Sequence, residues 1–139
     1  GTVLTLSVWL KAALLVLPLD SAVSHMTALR LYGFVCRTQG RLHFSTNSGL
    51  ATHLAGVVTH RRRGLLVPRT IEGLPVLGPD RTIVDCATVL NLVELVQAAE
   101  HLINKGFTSV ESLSTYARER HLDGVRLPPR ILLHVRARF

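Results

Sequence analysis

Lysine is almost absent from the chain. Lys11 and Lys105 are the only two, and no Glu-x-Lys pair occurs. Metal-dependent nucleases gather carboxylates around their cations, usually with a lysine nearby, so nuclease chemistry is not expected and no enzyme activity is assigned. Cysteine is equally scarce. Cys36 and Cys86 sit among apolar residues without Cys-x-x-Cys spacing, which fits buried thiols in a reducing cytoplasm better than a disulfide or zinc framework. His-x-His and His-Glu-x-x-His spacings are also missing. No metal and no cofactor is therefore expected, although His43, His53 and His60 are spaced to approach one another across strands. Ser24 has Asp20 and His25 close by but lacks the glycine elbow of a hydrolase nucleophile. One long apolar run exists, residues 3–19, and Ser7 and Lys11 interrupt it before Pro18 stops it. It falls short of the roughly 20 residues that span a bilayer and has no basic start typical of a signal peptide. It is read as a buried amphipathic helix, and no membrane segment is expected. No repeat, low-complexity tract or long linker is found.

Positive charge is present in excess. The formal net charge is +7 over 139 residues, and arginine supplies 14 of the 16 basic groups. Residues 1–68 hold seven basic residues against Asp20 alone, whereas residues 69–139 hold nine against eight acidic ones. A polyanion is the natural partner class, either nucleic acid or an acidic protein; a merely solvated arginine-rich surface is the alternative. The sharpest feature is Arg61-Arg62-Arg63, directly after the β-branched run Val57-Val58-Thr59-His60. Three guanidiniums at a turn can grip phosphates bidentately, positioning the protein without reading bases. Arg37, Arg41 and His60 are close enough in sequence or sheet order to extend the patch. His25, after the capping Ser24, can donate to a phosphate or serve the helix start.

A chain of this length suits one compact domain with a real core, here residues 1–139 in three parts. Residues 1–33 predict a helical pair. The first helix is capped by Ser7 and runs to about Leu17, with Trp9, Leu10, Ala13, Leu14 and Leu17 on one face. The second spans 25–32, with Ser24 as N-cap and Gly33 as the left-handed residue after it. Residues 34–77 predict a small, mostly antiparallel four-stranded sheet: 42–46, where polar and apolar residues alternate, then 57–60, 65–67 and 71–77. Pro75 would then need an edge strand or a first position. Residues 78–139 predict helices. Pro79 opens one, with Arg81 and Asp85 paired on its face. Asn91 with Glu94, and Thr108 with Glu111, are capping-box spacings for two more. Asp123-Gly124 makes a turn, and Pro128-Pro129 precede a last helix over 130–138. The class is α+β.

Three stretches carry a family likeness: SHMTALRLYG (24–33), VVTHRR (57–62) and GLPVLGPDRTIVDCA (73–87). In order and spacing they resemble the AbiEi-type antitoxin and transcriptional-regulator family of actinobacteria, over roughly residues 20 to 125. Members often carry a winged helix before this region, and many carry a domain similar to very-short-patch-repair endonucleases after it. The resemblance implies a regulator whose winged helix binds operator DNA and whose next domain neutralises a nucleotidyltransferase-like toxin. It implies no catalytic residue here. Too little chain precedes residue 20 for a complete winged helix, so a fragment of a longer protein is expected. The resulting expectation is a non-enzymatic regulatory module that binds DNA, a partner toxin, or both, through Arg61, Arg62, Arg63 and their neighbours. An accessory domain of a repair-type endonuclease and a protein-interaction scaffold are the alternatives.

Overall fold

The computed structural model describes residues 5–37, 40–48, 53–64 and 66–120, without the side chain of Arg120. Its elements run α1 (Leu6–Leu14), β1 (Ala22–Val23), α2 (His25–Leu31), β2 (Leu42–Thr46), β3 (Val57–Arg61), β4 (Arg69–Ile71), β5 (Leu74–Val76), α3 (Pro79–Cys86), α4 (Leu92–Asn104) and α5 (Val110–Arg120). The α+β class holds. The sheet does not follow expectation: it has five strands in the order β3-β2-β1-β5-β4, with mixed directions. The antiparallel pairs are β1–β2 and β4–β5, while β1–β5 and β2–β3 run parallel.

Three local features account for the difference. β2 and β3 pair in parallel, whereas a tight hairpin joins only antiparallel neighbours. β1 is two residues long, too short to show alternation, yet it is the central strand. It separates α1 from α2, so the expected helical pair is not a unit: α1 packs on β5, and α2 packs on α3 and β2. Finally, 71–77 is not one strand. Glu72 (φ 52°) and Gly73 (φ 78°) are both left-handed, and Ile71 pairs with Leu74 across them. This is the two-residue hairpin that matches strand twist. Leu66 and Val67 lie outside any strand; Arg69–Ile71 takes that place. Pro75 sits in an interior strand, opposite Thr70, where β1 pairs with β5 only at Val76 and asks nothing of Pro75.

Helix ends follow the chemistry of their caps, with two shifts. Thr5, not Ser7, caps α1, accepting from the Val8 N–H. Ser109, not Thr108, caps α5, accepting from the Ser112 N–H at 3.1 Å. The Thr108 hydroxyl instead donates to Asp80, as does that of Ser112 at 2.6 Å. Asn91 caps α4 as expected, accepting from the Glu94 N–H at 2.9 Å. Pro79 opens α3, and the Thr82 hydroxyl donates to the Gly78 carbonyl at 2.8 Å. Gly33 ends α2 at φ +96°, and the Tyr32 carbonyl beside it accepts from His101 of α4 at 2.9 Å.

The main core is built from Leu10, Leu29, Phe44, Leu74, Ile83, Leu95, Leu102 and Leu113, all essentially fully buried. Cys36 and Cys86 are buried free thiols, as expected. Among the described residues no helix is long and apolar enough to cross a membrane. The turn at 123–124 and the helix expected over 130–138 lie outside the described residues.

Candidate functional site

Alternation along β2 places His43 and Ser45 on the face opposite Leu42, Phe44 and Thr46. In the parallel register Ser45 stands beside His60 and His43 beside Val58, so the two histidines meet diagonally. His43 Nδ1 and His60 Nε2 lie 2.9 Å apart. On the other side of β2, the Ser24 N–H donates to the His43 carbonyl at 3.1 Å. This extends the ladder one residue past β1 and delivers the start of α2 onto the same face.

His25 completes the group. It is fully buried and its backbone is left-handed at φ 55°, a region that non-glycine residues seldom occupy and that often marks a functional position. Its ring stacks on His60, with centroids 3.8 Å apart and planes 19° from parallel, and lies 5.6 Å from the His43 ring. Arg62 Nη2 approaches His25 Nε2 at 3.2 Å. A guanidinium can only donate, so Nε2 accepts and the ring proton sits on Nδ1. From there it is donated to Ser24 Oγ at 2.8 Å, which also accepts from the Ser45 hydroxyl at 2.8 Å. Ser24 was expected to cap α2; its side chain makes no capping bond because this network uses it.

α3 supplies the charges beneath. Asp85 is 2 % exposed and lies 3.6 Å from Arg62 and 3.5 Å from Arg81. The Arg81–Asp85 pair was expected; the link to Arg62 was not. Burial raises the Asp85 carboxyl above its ordinary range, against the opposing pull of Arg81 and Arg62. Contacts of 3.5–3.6 Å are too long for the short charge-assisted bonds that would reverse that balance. Burial pushes His25 down to about 2, with His60 and Arg62 acting in the same direction. His60 falls to about 4 for the same reason, with His43 and Arg62 adding to it, and burial lowers His43 too. Near neutral pH the face thus holds three uncharged imidazoles and two guanidiniums beside the buried Asp85. Arg62 Nε is buried and has no hydrogen-bond partner among the described residues.

The expected contact patch divides. His25, His60 and Arg62 come together, but inside the protein. Arg61 and Arg63 remain exposed on either side of Arg62. Arg41 precedes Leu42, which pairs with Val57, whereas Arg61 pairs with Thr46. The two arginines therefore stand at opposite ends of β2 and β3, five residues or roughly 16 Å apart along the strands. Arg37 is held elsewhere, its backbone N–H donating to Glu94 of α4 at 2.9 Å. His53 is exposed and is not part of the cluster. The participants that sequence reasoning did not place were Ser24 and Ser45 as a hydroxyl relay and Asp85 as the anchor of Arg62. Two cues pointed to this face, the alternation His43-x-Ser45 and the shared two-residue period of His60 and Arg62, but neither reaches Ser24 or Asp85. Compared with known proteins, the chain matches no family model, no curated protein and no solved structure.

Proposed function

We propose that this chain is a non-enzymatic regulatory module, of the antitoxin-like kind its motifs resemble, that works in a reducing cytoplasm and grips a polyanion through Arg61 and Arg63. The observation that carries the reading is the division of labour within the arginine triplet. Arg62 is turned inward onto His25 and Asp85, and its N–H donates to the Thr46 carbonyl at 2.8 Å. That anchors the turn and holds the two flanking guanidiniums outside, ready for phosphate oxygens. Arg37 and Arg41 are dropped from the contact because they lie elsewhere. DNA is the polyanion proposed. The test is duplex binding titrated against salt for the parent and for Arg61→Ala/Arg63→Ala. Two lost phosphate contacts lower the slope of log K against log salt by about 1.8. An unchanged slope would overturn the reading.

A second reading has its own support. Val8, Trp9, Leu15, Val16 and Leu19 are exposed apolar residues on or just after α1. A protein partner, such as the nucleotidyltransferase-like toxin the resemblance implies, suits such a surface better than DNA does. Co-purification with that toxin, lost on Leu15→Asp and kept in Arg61→Ala/Arg63→Ala, would favour the interaction scaffold.

A further inference from the structure

We propose that His25, His43 and His60 form a binding site for one divalent transition-metal ion of the zinc class. One nitrogen from each ring lies within 4.8 Å of the others. Tetrahedral zinc holds its nitrogens at about 2.0–2.1 Å, so ligand nitrogens stand roughly 3.4 Å apart. The His43–His60 contact need open by only a few tenths of an ångström from 2.9 Å. His25 makes the larger adjustment, turning about its soft ring torsion and giving up its stack on His60. The ligand set is all imidazole, with no carboxylate. That selects zinc, cobalt or nickel over calcium or magnesium, which want oxygen ligands. Three protein nitrogens leave a fourth position open.

The surroundings are built for ligation. The Ser24 hydroxyl oxygen accepts a hydrogen bond from His25 Nδ1–H and another from the Ser45 hydroxyl. This fixes the tautomer that leaves Nε2 with its lone pair, as the outer hydrogen bonds of metal-binding histidines do. In the metal-free protein that lone pair accepts from Arg62. The guanidinium has somewhere to go, because Asp85 already lies 3.6 Å from it. Moving wholly onto Asp85 shortens that ion pair and takes the positive charge away from the arriving cation. The left-handed backbone of His25 turns its ring into the cluster, a conformation that persists only when the surrounding structure demands it. His60 and Arg62 are the partly exposed members and form the entry. The site is separate from Arg61 and Arg63, so it stands or falls independently of polyanion binding.

The test is titration of the chelator-treated chain with Co²⁺, followed by visible absorption, and then displacement by Zn²⁺. One ion per chain with tetrahedral-type absorption is expected. His60→Ala should weaken binding by more than about 100-fold, and Ser24→Ala by about 10-fold, the range typical of an outer hydrogen-bonding partner. His53→Ala should change nothing. Absence of Co²⁺ absorption, or binding unaffected by His60→Ala, would overturn the proposal. A parent-protein readout guards against a variant that fails to fold: Zn²⁺ should shift the imidazole resonances of His25, His43 and His60 together. Shifts confined to the other four histidines would mean adventitious binding and end the proposal.

Discussion

Arg62 and its two neighbours have the same side chain and different work. Arg62 shares Asp85 with Arg81, so Arg62→Ala leaves a buried carboxylate with one of its two cations. Losing a partner from a fully buried pair costs about 3–5 kcal/mol. With Arg81 still present and Arg62 about one fifth exposed, the expected loss is about 1–2 kcal/mol, read from urea unfolding. Arg61→Ala and Arg63→Ala should each stay within about 0.5 kcal/mol, as exposed substitutions do. Equal losses at all three positions would contradict the inward placement of Arg62. The histidines make a pH prediction for the metal-free protein. His60 has a folded value of about 4 against 6.5 when unfolded. Between those values the unfolded chain binds the proton and the folded chain does not, so stability rises with pH across that window. His25, at about 2, works in the same sense. Asp85 works in the opposite sense, because its charge is costly to bury. The readout is therefore the difference made by His60→Gln, which should flatten the rise of the urea midpoint between pH 5 and pH 7.

At the scale of elements, what was legible and what was not divide by length. α4 could be read because Asn91, Glu94 and thirteen residues of helical spacing agree. Asn91→Ala should cost about 1 kcal/mol, measured by thermal or urea unfolding. Gly33 was legible as a left-handed stop, and the structure adds a second reason for it. A Cβ there would lie 3.3 Å from His101 Nε2, the atom that donates to the Tyr32 carbonyl. Gly33→Ala should therefore cost more than the roughly 1 kcal/mol of the backbone strain alone. β1 was not legible, since two residues carry no period. Nor was the direction of β3, because alternation is the same whichever way a strand runs. Glu72-Gly73 hid a hairpin, since Ile71 and Leu74 on either side read as one apolar strand. The candidate site depended on those missed features. With an antiparallel β2–β3 hairpin, His43 and His60 would have different neighbours, and without β1 nothing delivers His25 to them.

For the whole molecule, the succession of helical and strand patterns foretold the α+β class, and the apolar setting of the cysteines foretold the buried thiols, but nothing foretold where the charge would lie. A surplus concentrated in residues 1–68 suggested one basic surface. Folding instead spreads it over both ends of β2 and β3 and turns one arginine into the interior. What gathers is a polar cluster drawn from the start of α2, from β2, from the end of β3 and from α3. That convergence can be observed without any variant. Stacked rings with centroids 3.8 Å apart place protons of His25 and His60 close enough for a strong nuclear Overhauser effect. That cross-peak between the two imidazoles is expected in the metal-free protein, with weaker ones to His43. Assigned His25 and His60 ring protons with no cross-peak between them would contradict the convergence.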